Sequence, residues 1–437
     1  MNNPLQTSLL QPLAAWHWYE RILFRFFFVF FILFIFLKNN GAFPVEFAYV
    51  TAPISDQFSK LVPWVSKQVL KIPYEFERNG YGSGDNTYSY VTVFIIFSIA
   101  AIATIFWSVI DWNRKSYVKL YYWLTVLIRF YLAFTLFNYG IVKIIQLQFP
   151  SPHVGRLMQP YGESSPMGLA WTFLGFSKGY NIFMGVAECA ALLLLFRRTM
   201  TFGAIITLMT AANVMAVNYF FDVPVKILST MLVVMTLFLL AHDIKRLSLF
   251  LFSGKPVSLP TIKAPVLSKK WMRLTKLSLK ILLIAVTLIP KINYAFSADK
   301  EYGENAATST YLGFYEVKKF IVNNKEVPAI SADSTRWKHL NIRSHRPATI
   351  RFMTDSLKSY EYNFVYGKEN YIELTPSGEP FNAKKTLKIE SDRNGITSLS
   401  GKLDADSVQI FLYKKKKDEF LLMNRGFNWI NERPFNR

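Results

Sequence analysis

The stretch LYYWLTVLIRFYLAFTLFNYGIVKIIQL, residues 120–147, decides what kind of protein this is. It is long enough for a helix across a bilayer core, which takes roughly 20 mostly apolar residues. Yet it carries Arg129 and Lys143, and a charge in that setting costs a few kcal/mol unless it is partnered. Working outward, six further windows of the same kind lie at residues 22–37, 91–110, 180–196, 201–221, 225–241 and 277–296. The first resembles a signal-peptide core. No small-residue cleavage site follows it, so it reads as an uncleaved first helix. Lys280 and Lys291 lie inside the two ends of the last window and are expected to snorkel to the interfaces. The expectation is an α-helical membrane bundle of about seven transmembrane helices over residues 1–297.

Composition narrows the classes further. The chain has 437 residues, 51% of them hydrophobic and only 18% charged, which excludes a disordered protein. The single Cys189 excludes a disulfide scaffold and a Cys-based metal site. The five His stand at 17, 153, 242, 339 and 345 without metal-ligand spacing, so no metal site is expected. The net charge of +21 suggests nucleic acid at first sight. Its basic residues cluster, however, in the loops after the second, fourth and sixth windows, above all in 243–280. The positive-inside rule then places the N-terminus in the cytoplasm and whatever follows the seventh window outside. A multi-pass inner-membrane protein with a periplasmic C-terminal domain follows if all seven windows span; with the seventh only interfacial, that domain stays in the cytoplasm. The charge marks orientation and contact with anionic lipids on the cytoplasmic side, with no nucleic-acid role.

After about residue 297 the chain changes character. Residues 298–437 hold 23 Lys/Arg and 18 Asp/Glu, so about +16 of the charge belongs to the preceding part. Apolar residues now alternate with polar ones. Strand-like runs fall at 314–322, 326–330, 337–342, 348–353, 359–365, 371–374, 386–390, 396–403 and 407–413. Turn signals such as Asn323–Asn324 and residues 392–395 separate them, which predicts an all-β barrel or sandwich of about eight strands. The outside loop 39–90 contains Phe58, Leu61 and Val65 at helical spacing, for an interfacial helix or a cap on the bundle. Gly82–Ser83–Gly84–Asp85 reads as a tight connection.

The buried ionisable residues are the candidate site. At about 1.5 Å per residue Arg129 and Glu188 fall level on antiparallel helices, and a buried ion pair between them is expected. Nearer the outer face, Asn138, Lys143, Asn218, Asp222, Lys226 and the loop residue His153 are expected to line a polar cavity, with Lys143 and Asp222 as its floor.

Several of these residues sit in a recurring pattern. Arg129 precedes Gly140-x-x-Lys143, and Gly185-x-x-Glu188 follows on the next helix. This resembles the DoxX family of membrane proteins. The stretches LMQPYGESSP (157–166) and YFFDVPVK (219–226), with the ending NRGFNWINERPFNR (424–437), are similar to large DoxX-like proteins of the Bacteroidota. The resemblance implies a four-helix core over about 120–245, with Arg129, Lys143 and Glu188 as its polar centre. It also implies links to redox chemistry, since some relatives are subunits of thiosulfate:quinone oxidoreductases. The lone Cys189 departs from thiol chemistry, and a quinone is easier to accommodate. Two readings stay open. One is a subunit of a membrane complex handling quinone or redox-linked small molecules. The other is a non-enzymatic envelope scaffold whose β domain binds a periplasmic protein or lipid.

Overall fold

The computed structural model describes residues 16–436 apart from 77–83, 255, 260, 263, 265–268, 307–308, 345, 379–382 and 393–395. Most of the two expected turns at 82–85 and 392–395 therefore lies outside the described residues. In chain order the helices are α1 (Trp18–Leu37), α2 (Phe47–Gln68), α3 (Thr87–Ile110), α4 (Val118–Ile144), α5 (Val154–Leu157), α6 (Pro166–Phe176) and α7 (Lys178–Cys189). A 3₁₀ segment, Ala190–Leu195, continues α7. Then come α8 (Met200–Phe220), α9 (Lys226–Ala241), α10 (Ile244–Ser253), α11 (Lys270–Tyr302) and, after the strands, α12 (Leu421–Asn424). The chain divides into two units. The first runs to Phe149 and adds residues 166–171 and 178–297. The second holds residues 150–165 and 172–177 together with everything from Ala298.

In the first unit α4 is central, with 72% of its apolar window buried, against 17% for α11 and 22% for α3. The outlying helices instead turn apolar side chains outward, such as Phe97, Ile105 and Phe106 on α3 and Leu279, Leu282 and Ile289 on α11. A belt of that extent is a surface made for lipid. The protein is thus a membrane protein. Five described helices are long and apolar enough to cross a bilayer: α3, α4, α7 with its 3₁₀ extension, α8 and α11. A sixth arises if α9 and α10, bent by 79°, form one broken span. The first expected window, α1, falls outside this set: it carries Glu20, Arg21 and Arg25 in its first two turns. Arg25 is buried there, donating to the Tyr117 hydroxyl at 2.8 and 2.9 Å and to Ser108 Oγ at 2.8 Å. Phe58, Val62 and Val65 of α2 are buried in the same apolar core as α1 and α3. Of the two expectations for this loop, the cap on the bundle is the one observed.

The second unit is built on nine antiparallel strands: β1 (Gly313–Val322), β2 (Lys325–Glu326), β3 (Trp337–Ile342), β4 (Ala348–Phe352), β5 (Leu357–Val365), β6 (Tyr371–Pro376), β7 (Lys385–Ser391), β8 (Ile396–Leu403) and β9 (Asp406–Lys415). β1 and β3 to β9 pair in sequence order, and β9 pairs back to β1 from Phe314↔Lys415 to Val322↔Val408. The result is a closed eight-stranded up-and-down barrel, which settles the choice between barrel and sandwich. The expected strand at 326–330 shrinks to the two residues of β2, because Pro328 supplies no N–H for a ladder. Asn323 and Asn324 take φ 48° and 63°, the left-handed pair that a tight hairpin needs between β1 and β2. Inward positions alternate along the strands, for example Leu340 and Ile342, Ile372 and Leu374, Leu387 and Ile389, Ile410 and Leu412, all at most 1% exposed.

Candidate functional site

The site grows from two glycines. Where α4 meets α7, a Cβ on Gly140 would lie 2.7 Å from both Gly185 O and Cys189 Sγ. A Cβ on Gly185 would lie 2.5 Å from Gly140 O and 2.7 Å from Ile144 Cγ1. The two backbones therefore touch, the close approach that small residues permit between membrane helices. Three residues on from each glycine, nearly one turn, stand Lys143 and Glu188. Their side chains face each other across the crossing, and Lys143 Nζ donates to Glu188 Oε1 at 2.6 Å. Both are almost wholly buried, at 4% and 2% exposure. The ammonium also lies 5.8 Å from the Tyr139 ring and 5.6 Å from the Phe149 ring, a cation–π setting. Glu188 Oε2 is buried and has no hydrogen-bond partner among the described residues.

This corrects the pairing expected from spacing: Glu188 takes Lys143, not Arg129. The reason lies in the 3₁₀ segment after Cys189. It rises about 2.0 Å per residue in place of 1.5 Å, so counting back from Arg197 misplaces Glu188 along the membrane normal. The glycine contact then sets the level. Arg129 has a different task. Its Nε donates to Leu194 O at 2.6 Å. The neighbouring carbonyls are taken by Thr199 Oγ1 on Leu193 O at 2.7 Å and Lys280 Nζ on Leu195 O at 2.6 Å. Three side chains thus satisfy the carbonyls at the end of the span, where the helix dipole favours cations.

The expected outer cavity is not assembled. Lys143, its intended floor, is consumed by Glu188. Asp222 is 83% exposed in its side chain and pairs with Lys226 at 2.9 Å, one turn away on the surface. Asn218 donates to Val225 O at 3.1 Å, holding the α8–α9 turn. Asn138 packs against Gly41, whose Cβ position lies 3.2 Å from its Nδ2. His153 belongs to the second unit, with the barrel. The snorkelling expected of Lys280 and Lys291 also gives way to backbone contacts. Lys291 Nζ donates to the carbonyls of Gly41, Ala42 and Phe134, the last two at 3.1 and 3.3 Å. Sequence spacing also missed Asp85, which accepts from Ile227 N at 2.9 Å and so caps the start of α9. Burial raises the Asp85 pKa above the ordinary carboxylate range.

A further feature carried no sequence signal. A cavity of about 880 Å³ opens between the start of α4, the end of the 3₁₀ segment and the first turns of α11, lined by Arg129, Lys276 and Lys280 among others. Its residues run from Tyr122 to Leu283 in the sequence, so no local motif marks it.

In the second unit, His153 Nδ1 accepts from Arg156 N at 3.1 Å and caps α5. Burial, then the nearby Arg343, Lys417, Arg156 and Arg346, push its pKa down to about 4. The unfolded histidine titrates near 6.5, so between those values the unfolded chain binds a proton that the folded one refuses. Stability from this group is complete above about pH 6.5 and falls as pH drops towards 4. Full-length protein is expected to lose more melting temperature between pH 7 and 4.5 than its His153→Gln variant. Parallel melting curves would refute that assignment.

No family model matches the chain, and no solved structure does. It is 39% identical over 132 residues to the uncharacterized protein YwoB of Bacillus subtilis (strain 168). That stretch is 30% of this chain but 82% of the relative. The chain belongs to the YwoB family. Membership covers under a third of its length.

Proposed function

We propose that the chain is a DoxX-like inner-membrane protein that works as a non-enzymatic scaffold. Its helices hold it in the membrane, its N-terminus is cytoplasmic, and its β-barrel meets a periplasmic protein partner. The observation that carries this reading is the barrel's interior, packed by 18 buried hydrophobic residues including Trp337, Tyr315 and Phe320. A barrel so filled offers its outer surface and loops, which suits protein recognition better than lipid carriage. The outer face supplies material for such contact. Tyr366 is 61% exposed and lies 6.1 Å from Phe364, which packs against the barrel's core at the end of β5, beside Arg346 and Glu361. The basic loops on one side and the α11 span support the orientation.

The quinone reading is weaker at the place first expected for it. Lys143 and Glu188 close on each other, and the glycine contact seals the helices around them, so these residues leave no slot for a headgroup. Tyr131, an aromatic side chain of the same helix, is fully buried and donates to Lys38 O at 2.8 Å. The test is affinity capture of the full-length protein from its native membrane after cross-linking, with proteins and bound quinone both quantified. We expect an envelope protein in near-stoichiometric amount and quinone no higher than in the surrounding lipid. Stoichiometric quinone that disappears in Glu188→Gln would overturn the proposal.

A further inference from the structure

The cavity beside Arg129 has a charge pattern that the scaffold does not use. Five cations line it among the described residues: Arg129, Arg197, Arg273, Lys276 and Lys280. No carboxylate is among its lining residues, of those described. None of the five forms an ion pair among the described residues. Arg273, Lys276 and Lys280 are spaced three and four apart, so α11 presents them on one face. Arg129 is 97% buried, and with Nε committed to Leu194 O its remaining N–H groups are available to the cavity it lines. Several cations around one low-polarity space repel each other, and an anion among them removes that repulsion.

The rest of the lining is aromatic and aliphatic: Tyr122, Trp123, Phe130, Trp271, Leu277 and Leu283. Trp123 and Trp271 are 54% and 63% exposed, at the end of the helices where the basic loops lie. Tryptophan favours the headgroup level of a membrane. Lys276 Nζ sits 5.3 Å over the Tyr122 ring and 6.0 Å from the Trp123 ring, held over the apolar wall. Below it, exposed Leu274, Leu277 and Ile281 continue the apolar surface along α11. A free inorganic anion would satisfy the cations and leave this wall unused. An uncharged quinone would use the wall and leave five positive charges unanswered.

We propose that this cavity is a binding site for an anionic phospholipid, with the phosphate among Arg129, Lys276 and Lys280 and the acyl chains along α11. The proposal rests on the helices lying in a bilayer and not on the partner role of the barrel. The test is native mass spectrometry of the full-length protein supplied with phosphatidylglycerol, with phosphatidylcholine of the same chains, or with glycerol phosphate. Arg273 and Lys276 do not cap the 3₁₀ segment, but Lys276 Nζ donates to the Tyr122 hydroxyl at 3.0 Å, so the melting temperature of Arg273→Gln/Lys276→Gln is measured alongside and is expected to stay near that of the wild type. Phosphatidylglycerol is expected to be retained over phosphatidylcholine, and the double variant to lose that preference by about tenfold or more. A control, Arg114→Gln/Lys115→Gln, removes two loop charges away from the cavity and is expected to keep it. Equal retention of the two lipids would overturn the site. So would an equal loss in the control, which would make the effect general surface charge. Displacement by glycerol phosphate alone would replace the lipid with a soluble phosphate. The barrel's partner capture is unaffected by any of these outcomes.

Discussion

Full-length protein carrying Gly185→Val is expected to fail to accumulate as a folded species in the membrane. The first added carbon falls 2.5 Å from Gly140 O and 3.0 Å from Ile144 N, both backbone atoms that no rotamer change can move. The two helices must separate, and the branched side chain pushes further in the same direction. Overpacking of a rigid contact costs about 1–3 kcal/mol by itself. Separation also pulls Lys143 from Glu188 and adds part of the cost of an unpaired buried charge, about 3–5 kcal/mol. Fluorescence-detected size exclusion of detergent extracts measures this, with Gly185→Ala as an intermediate. Wild-type yield and melting temperature for Gly185→Val would show that the helices do not cross there.

Lys143→Met is expected to be the most damaging substitution among the charged residues. It leaves Glu188 in an apolar interface with neither oxygen answered, since Oε2 already lacks a partner. The expected loss is about 3–5 kcal/mol, seen as a fall of many degrees in melting temperature. Lys143→Met/Glu188→Met removes both charges and fills similar volume, and it is expected to recover most of that loss. The double-mutant cycle thus separates two roles for the pair. If the double variant is stable and still captures the envelope partner, the pair holds helix register. If it is stable but loses capture, the pair takes part in function, and the purely structural role is wrong.

Much of this molecule could be read from its residues. In the barrel, alternation and turn residues placed eight of nine strands within a few residues, because each strand is set by its own two-residue period. The membrane half was legible as apolar helices for the same local reason. The pairing of its charges was not. Arg129, Lys143 and Glu188 stand out by type, yet which of them meet depends on a 3₁₀ segment whose sequence, AALLLL, reads as ordinary helix. It depends equally on where two glycines touch, a tertiary fact. Lys291 and Arg25 were opaque for a related reason. Their partners are backbone carbonyls and hydroxyls far along the chain, which have no signature of their own. The outer cavity was assembled from proximity in sequence, whereas Lys143 pairs with Glu188 and Asp222 with Lys226.

The closure of β1 onto β9 limits how the proposed partner would be recognised. A sheet joined to itself has spent its inter-strand N–H and C=O groups, so an extended peptide cannot dock as one more strand. The short β2 leaves a free flank of only two residues, Lys325 and Glu326, both exposed and charged. Specificity must then come from side chains and loops and not from main-chain pairing. The same closure keeps copies of the barrel from zipping together edge to edge.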